Sequence, residues 1–115
     1  MPRMTKCRRV CVEPISKLFK VDTKCSEQVS LCIEELESIR LIDFESLEQQ
    51  EAAQRMGVSR GTFQRILYEA RRKVAIALVQ GKSIVVAGGN YEMATKACNT
   101  SKRCKGCKFF KENEF

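Results

Sequence analysis

The chain has 115 residues, of which 21 are Lys or Arg, 14 are Asp or Glu and none is His, so its formal net charge is +7. This length and a hydrophobic content of 43% fit one small basic domain, and no apolar run is long enough to cross a bilayer. The N-terminal residues show no secretory signal pattern, which predicts a cytoplasmic protein. Because His is absent and only two Asp are present, most hydrolytic triads are excluded, and we expect a protein that is not an enzyme.

The charges are distributed unevenly along the chain. Residues 1–24 carry seven basic and two acidic side chains, whereas residues 25–47 carry one basic and six acidic side chains. Residues 48–80 and 81–115 are again basic. Basic segments on either side of an acidic one could face a polyanion such as nucleic acid, although a soluble basic surface would have the same composition.

Two segments have the composition of short strands. Residues 7–12 have β character, and residues 83–87 are β-branched and are followed by two glycines. Residues 33–80 have helical spacing instead. The sequence therefore predicts a mainly α fold with a three-helix core that contains a helix-turn-helix, short flanking β-strands and a Cys-rich C-terminal tail. The predicted parts are a basic N-terminal arm with a short strand at 1–32, the helix-turn-helix domain at 33–80, a short strand and linker at 81–97, and the Cys-rich tail at 98–115.

The first helix is predicted from about Ile33 to Glu45. Glutamates fill its opening turns, where negative charge suits the helix dipole. Its apolar residues cover a broad arc, which indicates packing on more than one side, so we interpret this helix as scaffold. The residues of the arc are Ile33, Leu36, Ile39, Leu41, Phe44 and Leu47.

A short second helix is predicted from about Leu47 to Met56, and a longer third helix from about Arg60 to Val79. Gly57 suits the left-handed conformation of a sharp helix exit, and Ser59 is a good N-cap for the third helix. The third helix has one apolar stripe, which we expect to be buried. The stripe consists of Phe63, Ile66, Leu67, Ala70, Val74, Ala77 and Leu78.

The segment from Gln49 to Glu69 meets the steric demands of a helix-turn-helix. Ala53 is small where two helices would cross closely, Gly57 supplies the turn, and apolar residues fill the space between the helices. A helical hairpin with no DNA role would not need this turn together with a basic outer face. The pattern therefore predicts binding of double-stranded DNA and transcriptional regulation. The candidate DNA-binding residues are Ser59, Arg60, Gly61, Thr62, Gln64, Arg65, Tyr68 and Arg72.

The same segment carries a resemblance to known proteins. The last helix of region four of sigma factors is similar to VSRGTFQRILYEARRKVAIAL in this chain. An uncharacterised prokaryotic family of small predicted DNA-binding proteins resembles residues 2–92, through PRMTKCRRVCVEP, ELESIRLIDFESLEQQEAAQRMGVSRGTFQRILYEARRKVAIALVQGK and AGGNYE. This resemblance implies DNA binding by Ser59, Arg60, Gly61, Gln64 and Arg65, and it implies no particular target.

The exposed residues of the third helix suit base recognition. Arg60 and Arg65 can each donate two hydrogen bonds to guanine, and Gln64 suits adenine, although either Arg could contact phosphate instead. One such domain has little specificity, so we expect a homodimer on a pseudo-palindromic site, with strands 7–12 and 83–87 near the interface. Other basic residues are expected to contact phosphates or solvent, namely Arg55, Arg71, Arg72 and Lys73, with Arg3, Lys6, Arg8 and Arg9 in an N-terminal arm.

The C-terminal cysteines suggest a metal site. Cys98, Cys104 and Cys107 are three candidate ligands, and the C-x2-C pair with its glycine permits a tight turn around one metal. Zinc is preferred over an iron–sulfur cluster, with free thiols on a basic tail as the alternative. The fourth ligand would come from Cys7, Cys11, Cys25 or Cys32.

Cys32 precedes the first helix, at a position where the resembled family has Thr. A thiol caps poorly, so structural replacement is the preferred interpretation, but a helix N-terminus also favours a thiolate. Two alternatives to DNA binding remain open on sequence grounds. One is a cysteine-based metal-binding or redox-sensing protein, and the other is a protein-interaction module of the transcription machinery.

Overall fold

The computed structural model describes residues 7–22 and 27–94, and in this part of the chain three helices are flanked by short strands. The structure is thus a small, mainly α fold with short strands, as the sequence predicts. The predicted Cys-rich tail at 98–115 lies outside the described residues. The helices are α1 (Ile33–Ile39), α2 (Gln49–Met56) and α3 (Arg60–Gln80), and the strands are β1 (Arg8–Val10), β2 (Leu18–Phe19), β3 (Gln28–Leu31), β4 (Ser83–Val86) and β5 (Tyr91–Met93).

The first predicted helix has two parts. α1 continues into a π-helical segment, Arg40–Phe44, in which the backbone N–H of Glu45 donates to the carbonyl of Arg40 at 2.8 Å. A π turn holds more residues than an α turn, so it shifts the helical periodicity of the residues that follow. Phe44 is consequently 62% exposed, and its predicted place in the buried arc is wrong.

The turn between α2 and α3 has the predicted chemistry. Gly57 is left-handed, with φ of 69°, and ends α2. The Ser59 side chain accepts a hydrogen bond from the backbone N–H of Thr62 at 3.2 Å, which caps α3. Ala53 is only 1% exposed, which confirms its expected place in the core between the helices. These contacts fix the direction in which α3 leaves the turn.

Strands that precede the helices pair with strands that follow them. β1 pairs with β5 in parallel, while β4 lies between β2, which is antiparallel to it, and β3, which is parallel to it. β1 and β4 match the two predicted strands, whereas β2, β3 and β5 were not predicted. The two ends of the described chain are therefore joined to each other around the helices.

Two clusters of buried apolar residues hold these elements together. The first cluster joins the π-helical segment, α2 and α3, and the second packs strands against α1 and α3. α3 contributes to both, so its orientation is fixed along most of its length. Near its C-terminus Leu78 is 76% exposed, so the predicted buried stripe is one residue too long there. The first cluster contains Leu41, Leu47, Ala52, Ala53, Met56, Phe63, Ile66 and Leu67, and the second contains Val10, Leu31, Ile33, Ala70 and Val86.

The three glutamates at the start of α1 bind three other parts of the fold. All three are buried, and each carboxylate accepts a hydrogen bond from a residue more than 25 positions away. The predicted role of α1 as scaffold is consistent with these contacts. The pairs are Glu34 with the backbone N–H of Asn90 (3.1 Å), Glu35 with the ammonium of Lys73 (2.9 Å) and Glu37 with the backbone N–H of Cys11 (3.1 Å).

Candidate nucleic-acid interface

The first two turns of α3 have one buried side and one exposed side. Phe63, Ile66 and Leu67 are buried against α2 and the π-helical segment, as their spacing predicts. The opposite side is exposed and carries five of the predicted DNA-binding residues. We call this exposed side the α3 face, and it consists of Arg60, Gly61, Gln64, Arg65 and Tyr68.

Hydroxyl groups at the start of α3 orient one of its arginines. The Ser59 hydroxyl lies 3.1 Å from Oγ1 of Thr62, and this same oxygen accepts a hydrogen bond from Nη2 of Arg65 at 3.3 Å. A guanidinium carries five N–H donors, and this contact uses one of them. The structure thus brings Ser59, Thr62 and Arg65 together, at the end of the helix where positive charge is already concentrated.

The electrostatics of the α3 face favour an anion. The first turn of α3 contains no acidic residue, although a negative charge at that end of a helix would be stabilising. α1 differs in this respect, because Glu34 and Glu35 lie in its first turn. The first two turns of α3 therefore present exposed arginine side chains with no acidic residue in the same turns, at the end of the helix that suits phosphate.

Acidic side chains limit the basic surface at its C-terminal side. Arg72, the last of the predicted DNA-binding residues, lies 3.6 Å from the carboxylate of Glu69, and Arg71 is paired with Asp43 at 2.8 Å. Arg72 is therefore exposed but lies beside a carboxylate. The acid-free surface extends from Arg60 to Tyr68, whose ring is 76% exposed.

One neighbour of the α3 face was missed by the sequence analysis. Nε2 of Gln64 donates a hydrogen bond to Oε1 of Gln49 at 2.8 Å. Gln49 is the first residue of α2, and together with Gly61 and Tyr68 it lines an open cleft beside α3. A contact between residues 15 positions apart depends on how two helices cross, so no local pattern in the sequence indicates it.

Two of the expected phosphate contacts are wrong. The side chain of Arg55 is fully buried and forms an ion pair with Glu51 at 3.1 Å, because it projects from α2 toward the core rather than toward solvent. Lys73 is largely buried and is paired with Glu35. In both cases a carboxylate partner offsets part of the free-energy cost of removing the positive charge from water.

The basic residues near the N-terminus are part of the fold. Arg8 and Arg9, which were expected in an arm, lie in strand β1, and Nη1 of Arg9 donates to the backbone carbonyl of Arg55 at 3.3 Å. The strand is held in place by pairing with β5. The other two arm residues, Arg3 and Lys6, lie outside the described part of the chain.

Cys32 is a poor candidate for a reactive thiolate. Burial raises the pKa of its thiol above the ordinary value, and the charges of Glu35 and Glu34 raise the pKa further, which outweighs the lowering effect of Lys73. Its backbone N–H donates to the Glu35 carboxylate at 2.9 Å, as in a capping box. These observations support the structural interpretation of Cys32.

The predicted metal site cannot be located in the fold, because Cys98, Cys104 and Cys107 lie outside the described residues, as does Cys25. The three cysteines within residues 7–22 and 27–94 are Cys7, Cys11 and Cys32. In those same ranges no group of three or more potential metal-ligating side chains is found. None of the helices in those ranges combines the length and the apolar composition that spanning a bilayer requires.

The fold is that of a small, mainly α protein with short strands, in which the first turns of one helix carry exposed basic side chains. The chain belongs to the family described as "Protein of unknown function DUF134", whose model matches residues 1–94.

Relatives described as "UPF0251 protein" are similar to this chain over most of its length. One from Caldicellulosiruptor saccharolyticus is 57% identical over 91 residues, which cover 79% of this chain and 66% of the relative. One from Ruminiclostridium cellulolyticum is 45% identical over 118 aligned positions, which cover 93% of each chain. One from Desulforudis audaxviator is 49% identical, with 94% of this chain and 70% of the relative covered. No solved structure matches the chain.

Proposed function

We propose that this protein binds double-stranded DNA in a sequence-specific manner, as a transcriptional regulator rather than as an enzyme. In this proposal α2 and α3 form a helix-turn-helix, and α3 is a recognition helix like the helix of sigma-factor region four that it resembles. The observation that carries the proposal is the exposure of Arg60, Gln64 and Arg65 in the first turns of α3, which contain no acidic residue before Glu69, while the opposite side of these turns is buried.

The dimensions of α3 suit the major groove. An α-helix with its side chains is about 10–12 Å across, and the major groove of B-DNA is about 12 Å wide. α3 is anchored to both apolar clusters, so it could enter the groove as a rigid element. Gly61, which carries no side chain, would allow the helix backbone to approach the duplex closely.

The side chains of the α3 face have the donors that base recognition requires. Arg60 and Arg65 suit O6 and N7 of guanine, and Gln64 suits N6 and N7 of adenine. The helix N-terminus, with Ser59 and Thr62, is suited to a phosphate beside the groove. Tyr68 and Arg72 lie further along the helix and are proposed as contacts at the edge of the site.

A homodimer is part of the proposal. A single domain of this kind contacts few base pairs, and two copies related by a dyad would double the number of bases read.

The zinc site of Cys98, Cys104 and Cys107 stays a sequence prediction, and it is compatible with DNA binding. Neither of the other two functions considered from the sequence is favoured by a specific contact among the described residues.

The proposal is tested by selecting bound duplexes from a random pool and measuring affinity for the selected site by fluorescence anisotropy. We expect Arg65→Ala to weaken binding of the selected site by about 1–3 kcal/mol and to relax the preference at one base pair. Lys20→Ala is the matched control, because it removes one exposed positive charge far from α3 in sequence and should affect all sequences slightly and equally.

The outcomes separate base recognition from simple charge attraction. If Arg65→Ala weakens binding of every duplex equally, Arg65 contacts phosphate rather than a base. If the selection yields no preferred sequence, and affinity never exceeds that for random duplex, the proposal of sequence-specific binding is wrong.

A further inference from the structure

The contact between Gln49 and Gln64 joins α2 to the α3 face. It is a direct hydrogen bond of 2.8 Å between two side-chain amides, with Gln64 as donor and Gln49 as acceptor. Gln64 is exposed, whereas Gln49 is half-buried. Gln49 belongs to α2, which is fixed against α3 by Ala52, Ala53 and Met56. The backbone of Gln49 is therefore held in a fixed position relative to α3.

An unrestrained glutamine side chain does not discriminate well between bases. Its terminal torsion is broad, so the amide can turn and exchange the positions of its oxygen and its nitrogen. The oxygen accepts hydrogen bonds and the nitrogen donates them, so the two orientations match different base edges. The oxygen Oε1 of Gln49 accepts from the nitrogen of Gln64, so this contact favours the orientation of Gln64 in which its nitrogen faces α2.

The orientation held by Gln49 leaves the correct groups of Gln64 available for adenine. One N–H of Nε2 is used in the contact with Gln49, which leaves the second N–H and the oxygen Oε1. Adenine presents an acceptor at N7 and a donor at N6 in the major groove, and these match the remaining N–H and the oxygen. No group of Gln64 is required to serve two partners at once.

We infer that Gln49 is a positioning residue for base recognition, which sets the orientation of the Gln64 amide so that the protein prefers adenine at one position of its DNA site. This inference rests on the proposed binding of duplex DNA. Gln49 acts through Gln64 and contributes by favouring one orientation of its amide before the duplex is bound.

The first experiment examines the contact in the free protein, without DNA. Gln49→Met keeps a side chain of similar length but removes the acceptor, and Gln49→Glu keeps an acceptor oxygen. In a ¹⁵N–¹H spectrum we expect the side-chain amide resonances of Gln64 to move to the positions of a free amide in Gln49→Met, because the contact is lost. In Gln49→Glu these resonances should stay away from the free-amide positions, because an acceptor oxygen is retained. Unchanged Gln64 resonances in Gln49→Met would overturn the inference, whatever the DNA-binding result.

The second experiment measures affinity for the selected site and for its variants at each base pair. We expect Gln49→Met to lose about three- to tenfold of the preference at the base pair that Gln64→Ala also affects, with unchanged affinity for random duplex. Gln49→Glu should retain that preference while binding all duplexes more weakly, because its charge repels phosphate. Gln50→Met is the matched control, since Gln50 is exposed on the same turn of α2 and should leave the preference intact.

The results distinguish failure of this inference from failure of the proposed function. If Gln64→Ala relaxes one base pair and Gln49→Met leaves that base pair unaffected, the inference is wrong and sequence-specific binding still holds. If Gln64→Ala relaxes no base pair, Gln64 does not recognise a base and the inference is also wrong. If the wild-type protein prefers no sequence, both proposals are wrong.

Discussion

Gly61, the second residue of α3, is a residue whose identity the protein's own packing does not explain. No neighbouring atom lies within 4 Å of the position that its Cβ would occupy, so a side chain would fit in the free protein. Glycine inside a helix costs about 0.5–1 kcal/mol of stability relative to alanine. A duplex that approaches the start of α3 closely would supply the missing reason for a residue without a side chain.

We expect Gly61→Ala to have opposite effects on stability and on binding. The free energy of unfolding should rise by about 0.5–1 kcal/mol, because alanine restricts the unfolded chain and favours helix. Affinity for duplex DNA should fall, because the added methyl group would lie between the start of α3 and the bound DNA. Urea denaturation and fluorescence anisotropy measure the two effects.

Gly81→Ala provides the contrast for this prediction. Gly81 has a φ of 67°, a conformation that alanine adopts only with strain, so this variant should be less stable than the wild type. It lies at the C-terminal end of α3, more than 20 residues from the start of the helix, and should not change affinity for DNA. If Gly61→Ala binds DNA as tightly as the wild type, close approach at this position is excluded.

At the level of elements, α1 acts as a connector through its carboxylates. The sequence correctly predicts that the glutamates lie at the start of the first helix, where they suit the helix dipole. The partners of these glutamates could not be predicted. Glu35 illustrates the reason, since its carboxylate accepts from both the Cys32 backbone and the Lys73 ammonium, and the second of these is 38 positions away. Local patterns determine where a charge lies on a helix, while its partner is determined by tertiary packing.

The pair of Lys73 and Glu35 predicts how stability depends on pH. Burial lowers the pKa of Lys73, but the hydrogen bond and the charge of Glu35 outweigh burial, so the pKa is raised overall. A lysine with a higher pKa in the folded than in the unfolded chain holds its proton more tightly when folded. Its contribution to stability is therefore complete below the unfolded pKa of about 10.4 and disappears as pH rises through the folded pKa.

We expect Lys73→Met to lower the free energy of unfolding by about 1 kcal/mol at pH 7 to 9, and this difference from the wild type should shrink above the unfolded pKa. Urea denaturation at a series of pH values measures the difference. Lys82→Met is the control, because the partner of Lys82, Glu27, is 69% exposed and the pair should contribute little. A difference between Lys73→Met and the wild type that stays constant to pH 11 would contradict this account.

At the level of the whole molecule, the helices were more predictable than the strands. The ends of α2 and α3 depend on local chemistry at Gly57 and Ser59, and both match the sequence predictions closely. β2 and β5 contain only two and three residues, and each pairs with a partner more than 60 positions away, so neither has a periodicity that could be recognised. The same limit applies to the candidate site, where the exposed residues of α3 were predicted and Gln49 was missed.

The pairing of β4 bears on how two copies could associate. β4 is paired on both sides, by β2 and by β3, so neither of its edges is open to a strand of a second copy. Two large apolar residues at the C-terminal end of α3, Leu78 and Val79, are 76% and 84% exposed. They lie at the opposite end of the helix from the α3 face, so contacts between copies there would leave the α3 face of each copy exposed.

The dependence of affinity on salt tests the dimer. If each protomer neutralises about five phosphates, log affinity should fall against log salt concentration with a slope of about −4 to −5 for a duplex with one half-site. A duplex with two half-sites, whose centres lie about 34 Å apart, should give about twice this slope and a complex of two protomers by light scattering. Leu78→Glu introduces a negative charge at the contact proposed between copies and not at the α3 face. In this variant the slope for the duplex with two half-sites should no longer be doubled, and the slope for the duplex with one half-site should be unchanged. Equal slopes for the two duplexes, with one protomer bound to each, would exclude the dimer and leave a protein that recognises DNA as a single copy.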